Sequence, residues 1–430
     1  MKAISKGSLV HRPALHYGII VLALIVLSVF SSLGLARFGY TSILPQMQDS
    51  LRLTNTRTGT LQALNLLGYL LTVMGAGMLA ARFGPRIVVS TSLLIVSFSM
   101  LLTGLVPSFS AACIARFLAG ASGAGGNIPA MGLVSAWFGK RRRGIASGIG
   151  VTGSSIGLMV TGLLVPAIMT TYGPDGWRVC WYVLAGIGFA VFVLCALFLR
   201  NSPHEKGLQP IGQTAPETDE NNDKQECSPF HWRSVYASRI VWQLAFLYCA
   251  FGFSYIIYAT FFVRHLVKEA RFSLSDAGAL WMSIGFVSLS SGFIWGSLSD
   301  RFSRQVALLC VFTLQGISFV ILGLSQTTTA VYVSSGLFAL TAWSIPALMA
   351  ALAGDIVGPR LAPAALGLMT IVFGIGQALG PYFAGVIADA TQSFSPAFVI
   401  AGAVALLCGA GGSLLLREKR LPHNSMSGTP

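Results

Sequence analysis

Charge is scarce in this 430-residue chain. Asp, Glu, Lys and Arg make up 10% of it, against 54% hydrophobic residues, whereas a soluble domain carries about 25% charged residues. The shortage excludes a chain of ordinary water-facing domains. The apolar excess excludes disorder for the bulk of the chain. Catalytic constellations are also missing: there is no Walker loop, no His/Cys metal cluster and no acid pair in an apolar setting. No enzyme activity, metal or cofactor is therefore expected. The seven cysteines, at 113, 180, 195, 227, 249, 310 and 408, are odd in number and scattered, which argues against a disulfide framework. Acids are the rarest charge. All fourteen fall in loops or near predicted helix ends, so a buried cationic substrate and a carboxylate proton relay are both disfavoured.

What is present is a series of long apolar runs. A membrane-spanning helix needs about 20 predominantly apolar residues, and twelve candidates occur: 16–45, 58–80, 86–106, 111–136, 144–168, 177–199, 240–263, 276–298, 305–325, 329–353, 364–388 and 395–416. The run after Lys2, Lys6 and Arg12 is too long for a signal peptide and reads as an uncleaved first helix. Between the sixth and seventh candidates, residues 200–238 carry six acids and several prolines and read as a solvated linker. The expected organisation is an all-α membrane protein: a six-helix bundle at 1–199, a cytoplasmic linker at 200–238, and a second bundle with a short tail at 239–430.

The net charge of +14 reflects the excess of basic residues in cytoplasmic loops rather than a nucleic-acid partner. With both termini inside, the inner segments hold 20 Lys and Arg and the outer segments hold six. Lys140-Arg-Arg-Arg143 then reads as a topology determinant touching anionic lipid.

Two segments repeat. Gly77-Met-Leu-Ala-Ala81-Arg82-Phe-Gly84-Pro-Arg86 matches Gly296-Ser-Leu-Ser-Asp300-Arg301-Phe-Ser-Arg304. Glycines 153, 157 and 162 match glycines 376, 380 and 385 in spacing. Parallel repeats of this kind are a transporter architecture, with the site between the halves. The glycines read either as static close packing or as a hinge.

These residues resemble the major facilitator superfamily. The loop Gly-x-x-x-Asp-Arg-x-x-Arg at 296–304 is similar to its cytoplasmic signature, and Ala81 replaces the aspartate usual in the first copy. Arg116-x-x-x-Gly120, followed by Gly123 and Gly126, is similar to its fourth-helix motif. Within the superfamily, Leu35-Ala-Arg37-Phe38-Gly-Tyr40-Thr41-Ser-Ile-Leu-Pro45, Asn65-Leu-Leu-Gly68-Tyr69 and Gly252-Phe-Ser-Tyr255 resemble the bacterial YbfB/YjiJ-type group. The resemblance implies a twelve-helix transporter of the bacterial inner membrane. It also implies a conformational latch made of Arg82, Asp300, Arg301 and Arg304, the alternative being that these residues only mark topology. Asp300→Asn is expected to slow transport without abolishing substrate binding. The pattern is partly similar to anion:cation symporters, whose two arginines hold organic anions and match Arg37 and Arg116. The acids that handle protons there are replaced by Ala36 and Gly123.

From chemistry alone, an intramembrane arginine is a functional candidate, because guanidinium stays charged and grips carboxylate bidentately. Arg37 reads either as a substrate-holding residue or as a snorkelling one. Arg116 reads either as a site residue or as a structural arginine. Tyr40, Asn65, Tyr69, Asn127, Tyr255, Tyr258, Trp343 and Gln377 are candidates to complete a polar, aromatic-walled pocket, each with an interhelical packing role as its alternative. The expected function is secondary transport of a small monocarboxylate-like anion by alternating access, with a proton or counter-substrate as partner and lipid as surroundings. An exporter of drugs or amphipathic compounds, and a receptor that moves no solute, are the alternatives.

Overall fold

The computed structural model describes residues 16–212 and 236–416. The basic N-terminal residues, positions 213–235 of the expected linker and the tail after 416 lie outside the described residues. Among the described residues, ten helical stretches are long and apolar enough to cross a membrane. One of them, Arg142–Phe198, breaks at Gly173–Asp175, where Gly173 adopts a φ of 60°, and so makes two crossings. Phe109–Trp137, 29 residues rich in Gly and Ala, adds another beyond the ten. The twelve helices are α1 (Tyr17–Ser50), α2 (Asn55–Phe83), α3 (Pro85–Leu105), α4 (Phe109–Trp137), α5 (Lys140–Tyr172), α6 (Gly176–Phe198), α7 (Arg239–Lys268), α8 (Leu274–Arg301), α9 (Arg304–Leu324), α10 (Thr328–Gly358), α11 (Ala364–Thr391) and α12 (Ser395–Leu414). Several begin on a Ser or Thr cap: Thr54, Ser108, Ser273, Ser303 and Thr327 each accept a first-turn amide, satisfying donors the helix cannot.

The repeated glycines explain how these helices pack. A Cβ at Gly153 would lie 2.3 Å from the Val26 carbonyl oxygen, and one at Gly157 would lie 2.2 Å from Gly34 Cα, so α5 lies against α1 backbone to backbone. In the second half, Gly376 and Gly380 bring α11 equally close to α7, at the Cys249 and Phe253 carbonyls. The third glycine of each set does something different. Gly162 faces Gly278 of α8 and Gly385 faces Asn55 of α2, so both touch the opposite half of the molecule.

The two halves meet along α2/α11 and α5/α8 at the end remote from the chain termini (the far end). Toward the near end they part, and Gly75, Gly77, Gly144, Gly148, Gly292 and Gly296 face open space. Polar links bridge the halves at the far end. Asp389 of α11 accepts the Asn55 and Thr56 amides at the start of α2, both at 2.8 Å. Arg264 of α7 donates to Gln48 and Asn55, both at 2.9 Å, and Lys268 pairs with Asp49. Thr41 of α1 donates to the Ala259 carbonyl of α7 at 2.6 Å. Behind Arg264 stands Glu269, 3.1 Å from both Arg264 and His265. Burial alone would raise the Glu269 carboxyl. The adjacent His265, the Ser393 hydroxyl and the Phe394 amide outweigh that and hold it down at about 2.

At the near end, among the described residues, no ion pair joins the halves. Arg304 ties Asp300 at 2.5 Å to Asp355 at 3.3 Å, linking α9 to α8 and α10 within the second half. Arg82 and Arg301 each lie over the next residue's ring, Phe83 and Phe302. The first part of the expected linker is packed: Ile211 exchanges backbone hydrogen bonds with Trp137 and Gly139, and Asn201 accepts the Arg86 amide at the start of α3.

Candidate functional site

Midway along α1 the helix widens into a π-helical stretch over Phe30–Phe38. Such wide turns frequently mark functional sites. Gly34 sits in the stretch against Gly157, and Arg37 comes near its end. Arg37 is 7% exposed, and its guanidinium stacks on the Tyr69 ring of α2 at 4.4 Å. The Tyr255 hydroxyl of α7 lies within its electrostatic reach. Among the described residues, Arg37 has no carboxylate partner. Another cation, Arg116, lies within its electrostatic reach.

Arg116 is situated quite differently. It is 0% exposed. One guanidinium nitrogen donates to the Ala36 carbonyl at 2.6 Å and the other to Gln62 Oε1 at 2.8 Å. Tyr40 and Trp181 flank it at 4.5 and 5.7 Å. Its two hydrogen bonds tie it to α1 and α2, at the wide turn that carries Arg37, while its buried Nε has no partner among the described residues. Tyr40 is buried beneath it and donates to the Thr58 carbonyl. Asn65 donates to the Arg116 carbonyl at 3.1 Å, and a Cβ at Gly120 would overlap the Asn65 backbone. Arg116, Tyr40, Asn65 and Gln62 therefore form a packed polar layer between α1, α2 and α4.

Four of the other expected pocket residues converge on Arg37. Asn127 of α4 donates its amide to the Tyr69 hydroxyl at 2.9 Å, and Gln377 of α11 donates to the Tyr255 hydroxyl. Tyr69 and Asn127 are half-buried; Tyr255 and Gln377 are buried. Behind Tyr255 stand Phe251, Phe373 and Tyr248, whose rings stack. Trp343 of α10 spans the halves: its indole donates to Ser155 of α5 at 3.0 Å and its ring packs on Phe38 at 5.5 Å. Ser155 in turn meets Ser288 of α8 at 2.9 Å. Tyr258 points elsewhere, into the second half's core, bonded to Ser334 and packed on Phe262, Phe319 and Phe338.

Phe38, Gln62, Ser155 and Ser288 were not singled out from sequence. Gln62 carried a usable signal, because it precedes Asn65 and Tyr69 at helical spacing. Ser155 and Ser288 carried none, being ordinary small residues in apolar runs. Among the described residues, no three His, Cys, Asp or Glu side chains are grouped to hold a metal ion.

Two helical halves that meet at the far end and are bridged by Trp343 define the major facilitator fold, an architecture of solute transporters. A solved bacterial homologue of the human lysosomal transporter Spinster, in an inward-facing and unoccupied conformation, superposes with a TM-score of 0.75 at 19% identity, over 94% of this chain and 97% of that one. Residues 29–411 match the family described as uncharacterised MFS-type transporter YbfB, and the chain belongs to that family. Among its relatives, a probable sulfoacetate transporter of Cupriavidus necator is 28% identical, over 86% of this chain and 87% of its own length. A hexuronate transporter of Bacillus subtilis is 24% identical, over 84% and 86% respectively.

Proposed function

We propose that the chain is a secondary active transporter of a small, monocarboxylate-like organic anion, working by alternating access. The observation that carries this reading is Arg37. It is a nearly buried guanidinium between the halves, without a carboxylate, beside a second cation. Burying a charge without a partner is costly, and an anionic ligand supplies the missing countercharge. A cationic substrate would find no carboxylate at this depth. The names of the relatives, sulfoacetate and hexuronate transporters, agree with an anion.

On this reading Arg37, Tyr69, Asn127, Tyr255, Gln377 and Trp343 face the substrate, while Arg116, Tyr40 and Asn65 position the helix that carries Arg37. The bundles 1–199 and 239–430 rock about the site. The near end is cytoplasmic, and the form described is open to the cytoplasm in a bacterial inner membrane. The test is uptake of labelled lactate and gluconate into proteoliposomes. Flux in the native protein that disappears in a folded Arg37→Gln variant supports the reading. Equal flux in that variant, or uptake confined to cationic or neutral drugs, rejects it.

A further inference from the structure

The two tyrosine hydroxyls beside Arg37 are set up alike, one in each half. Tyr69 of α2 accepts from the Asn127 amide of α4. Tyr255 of α7 accepts from the Gln377 amide of α11. A phenol has one hydrogen to give and lone pairs to receive. With an amide N–H already directed at each oxygen, the hydroxyl hydrogen is left to donate outward. Among the described residues neither hydroxyl donates to any acceptor. Arg37 stacks on the Tyr69 ring and lies within reach of the Tyr255 hydroxyl. The guanidinium N–H groups of Arg37 and two O–H donors are thus grouped together.

We infer that Tyr69 and Tyr255 are paired, substrate-selecting donors which, with Arg37, clamp one deprotonated head group (carboxylate or sulfonate) from both halves of the molecule at once. The inference rests on the anion-transporter reading and adds two things to it. First, the ligand is selected as a monoanion. Arg37 is the cation available to the ligand, since Arg116 is completely buried and bonded to Ala36 and Gln62. The neighbouring wall of Phe38, Trp343, Ser155 and Ser288 is neutral and suits an uncharged tail. A second carboxylate would be buried there without a partner. A neutral amide analogue fails at the head, because its NH2 would face donors. Second, binding is coupled to the arrangement of the halves. Tyr69 belongs to one half and Tyr255 to the other, so the full set of donors exists only while the halves are correctly apposed. A ligand that contacts both halves shifts their equilibrium by its differential affinity.

The test is thermal-shift titration of the purified full-length chain with lactate, lactamide and succinate. The variants are Arg37→Gln, Tyr69→Phe and Tyr255→Phe, with Tyr182→Phe, whose α6 hydroxyl donates to the Gly104 carbonyl of α3, as a hydroxyl deletion outside the site. Lactate should stabilise the native protein, lactamide should not, and succinate should bind at least about tenfold more weakly than lactate. Tyr69→Phe and Tyr255→Phe should keep the unliganded melting temperature and each weaken lactate about ten- to a hundredfold. Tyr182→Phe should bind like the native chain. Two outcomes overturn the inference while leaving the anion reading intact: lactate binding lost in Arg37→Gln but unchanged in both Tyr→Phe variants, or succinate binding as tightly as lactate. Failure of both anions to stabilise the native protein overturns the inference and the anion reading together.

Discussion

Two arginines lie inside the membrane, and the sequence could not tell them apart. Both are single basic residues in apolar helices, and each is a costly intramembrane charge. What separates them is long-range: Arg116 meets a carbonyl 80 residues away and an amide 54 residues away, and no local pattern announces those partners. Their removal should have opposite effects on stability. Arg116→Gln strips a buried layer of two charge-assisted hydrogen bonds and leaves the Ala36 carbonyl and Gln62 unpaired, a loss of roughly 3 kcal/mol or more. Arg37→Gln removes an uncompensated charge from a low-dielectric site and relieves its repulsion with Arg116. In thermal unfolding of the ligand-free protein in detergent, Arg116→Gln should melt well below the native chain and Arg37→Gln above it. A lower melting point for Arg37→Gln would mean that its charge is already compensated.

Among the helices, the twelve apolar runs were legible because hydrocarbon thickness sets their length. The glycine repeat was legible because its spacing recurs. The role of each glycine was not, since that depends on which backbone lies opposite. Gly157→Ala forces α5 off α1 at a backbone atom that cannot step aside, and should cost about 1–3 kcal/mol. Gly148→Ala, in the same helix but facing open space, should be neutral or stabilising by about 0.5–1 kcal/mol. Paired melting curves check the contrast. The turn between α7 and α8 gives a prediction in pH. Glu269 is held at about 2 against an ordinary 4.5. Its folded-state value is depressed, so its contribution is complete above the unfolded value and is lost as pH falls from about 5 toward 2. Glu269→Gln should forfeit roughly 2–3 kcal/mol at pH 7 and flatten the acid limb of the stability curve. An acid limb identical to that of the native protein would show that Glu269 is not the titrating group.

For the whole molecule, the far-end links hold the two halves together in the form described, and they were the least legible feature of all. Asp389 and Asn55 are 334 residues apart, Arg264 and Asn55 209, and each side chain by itself looks like an ordinary loop-end residue. The geometry makes Asp389 a cap supplied to α2 by the opposite half. Its carboxylate accepts two amides at the positive end of a helix dipole, and opening the far end must give that up. Asp389→Asn keeps the shape but loses the charge, and should move the balance of states about tenfold toward the far-open form, equivalent to about 1.4 kcal/mol. Gly385→Ala and Gly162→Ala should push the same way for a different reason. Their Cβ atoms would meet the backbone of the opposite half at 2.4–2.5 Å, a collision present only while the far end is closed. Spin labels at Leu79 on α2 and Ile371 on α11, both exposed, report on the near end. Their distance should be long in the native protein and should acquire a short population in all three variants. Gly157→Ala, whose contact lies within one half, should lower stability without moving that distance. If Gly385→Ala instead melted early and kept the native distance, the third glycine of the repeat would be packing like the first two, and the far-end contact would not be what sets the balance of states.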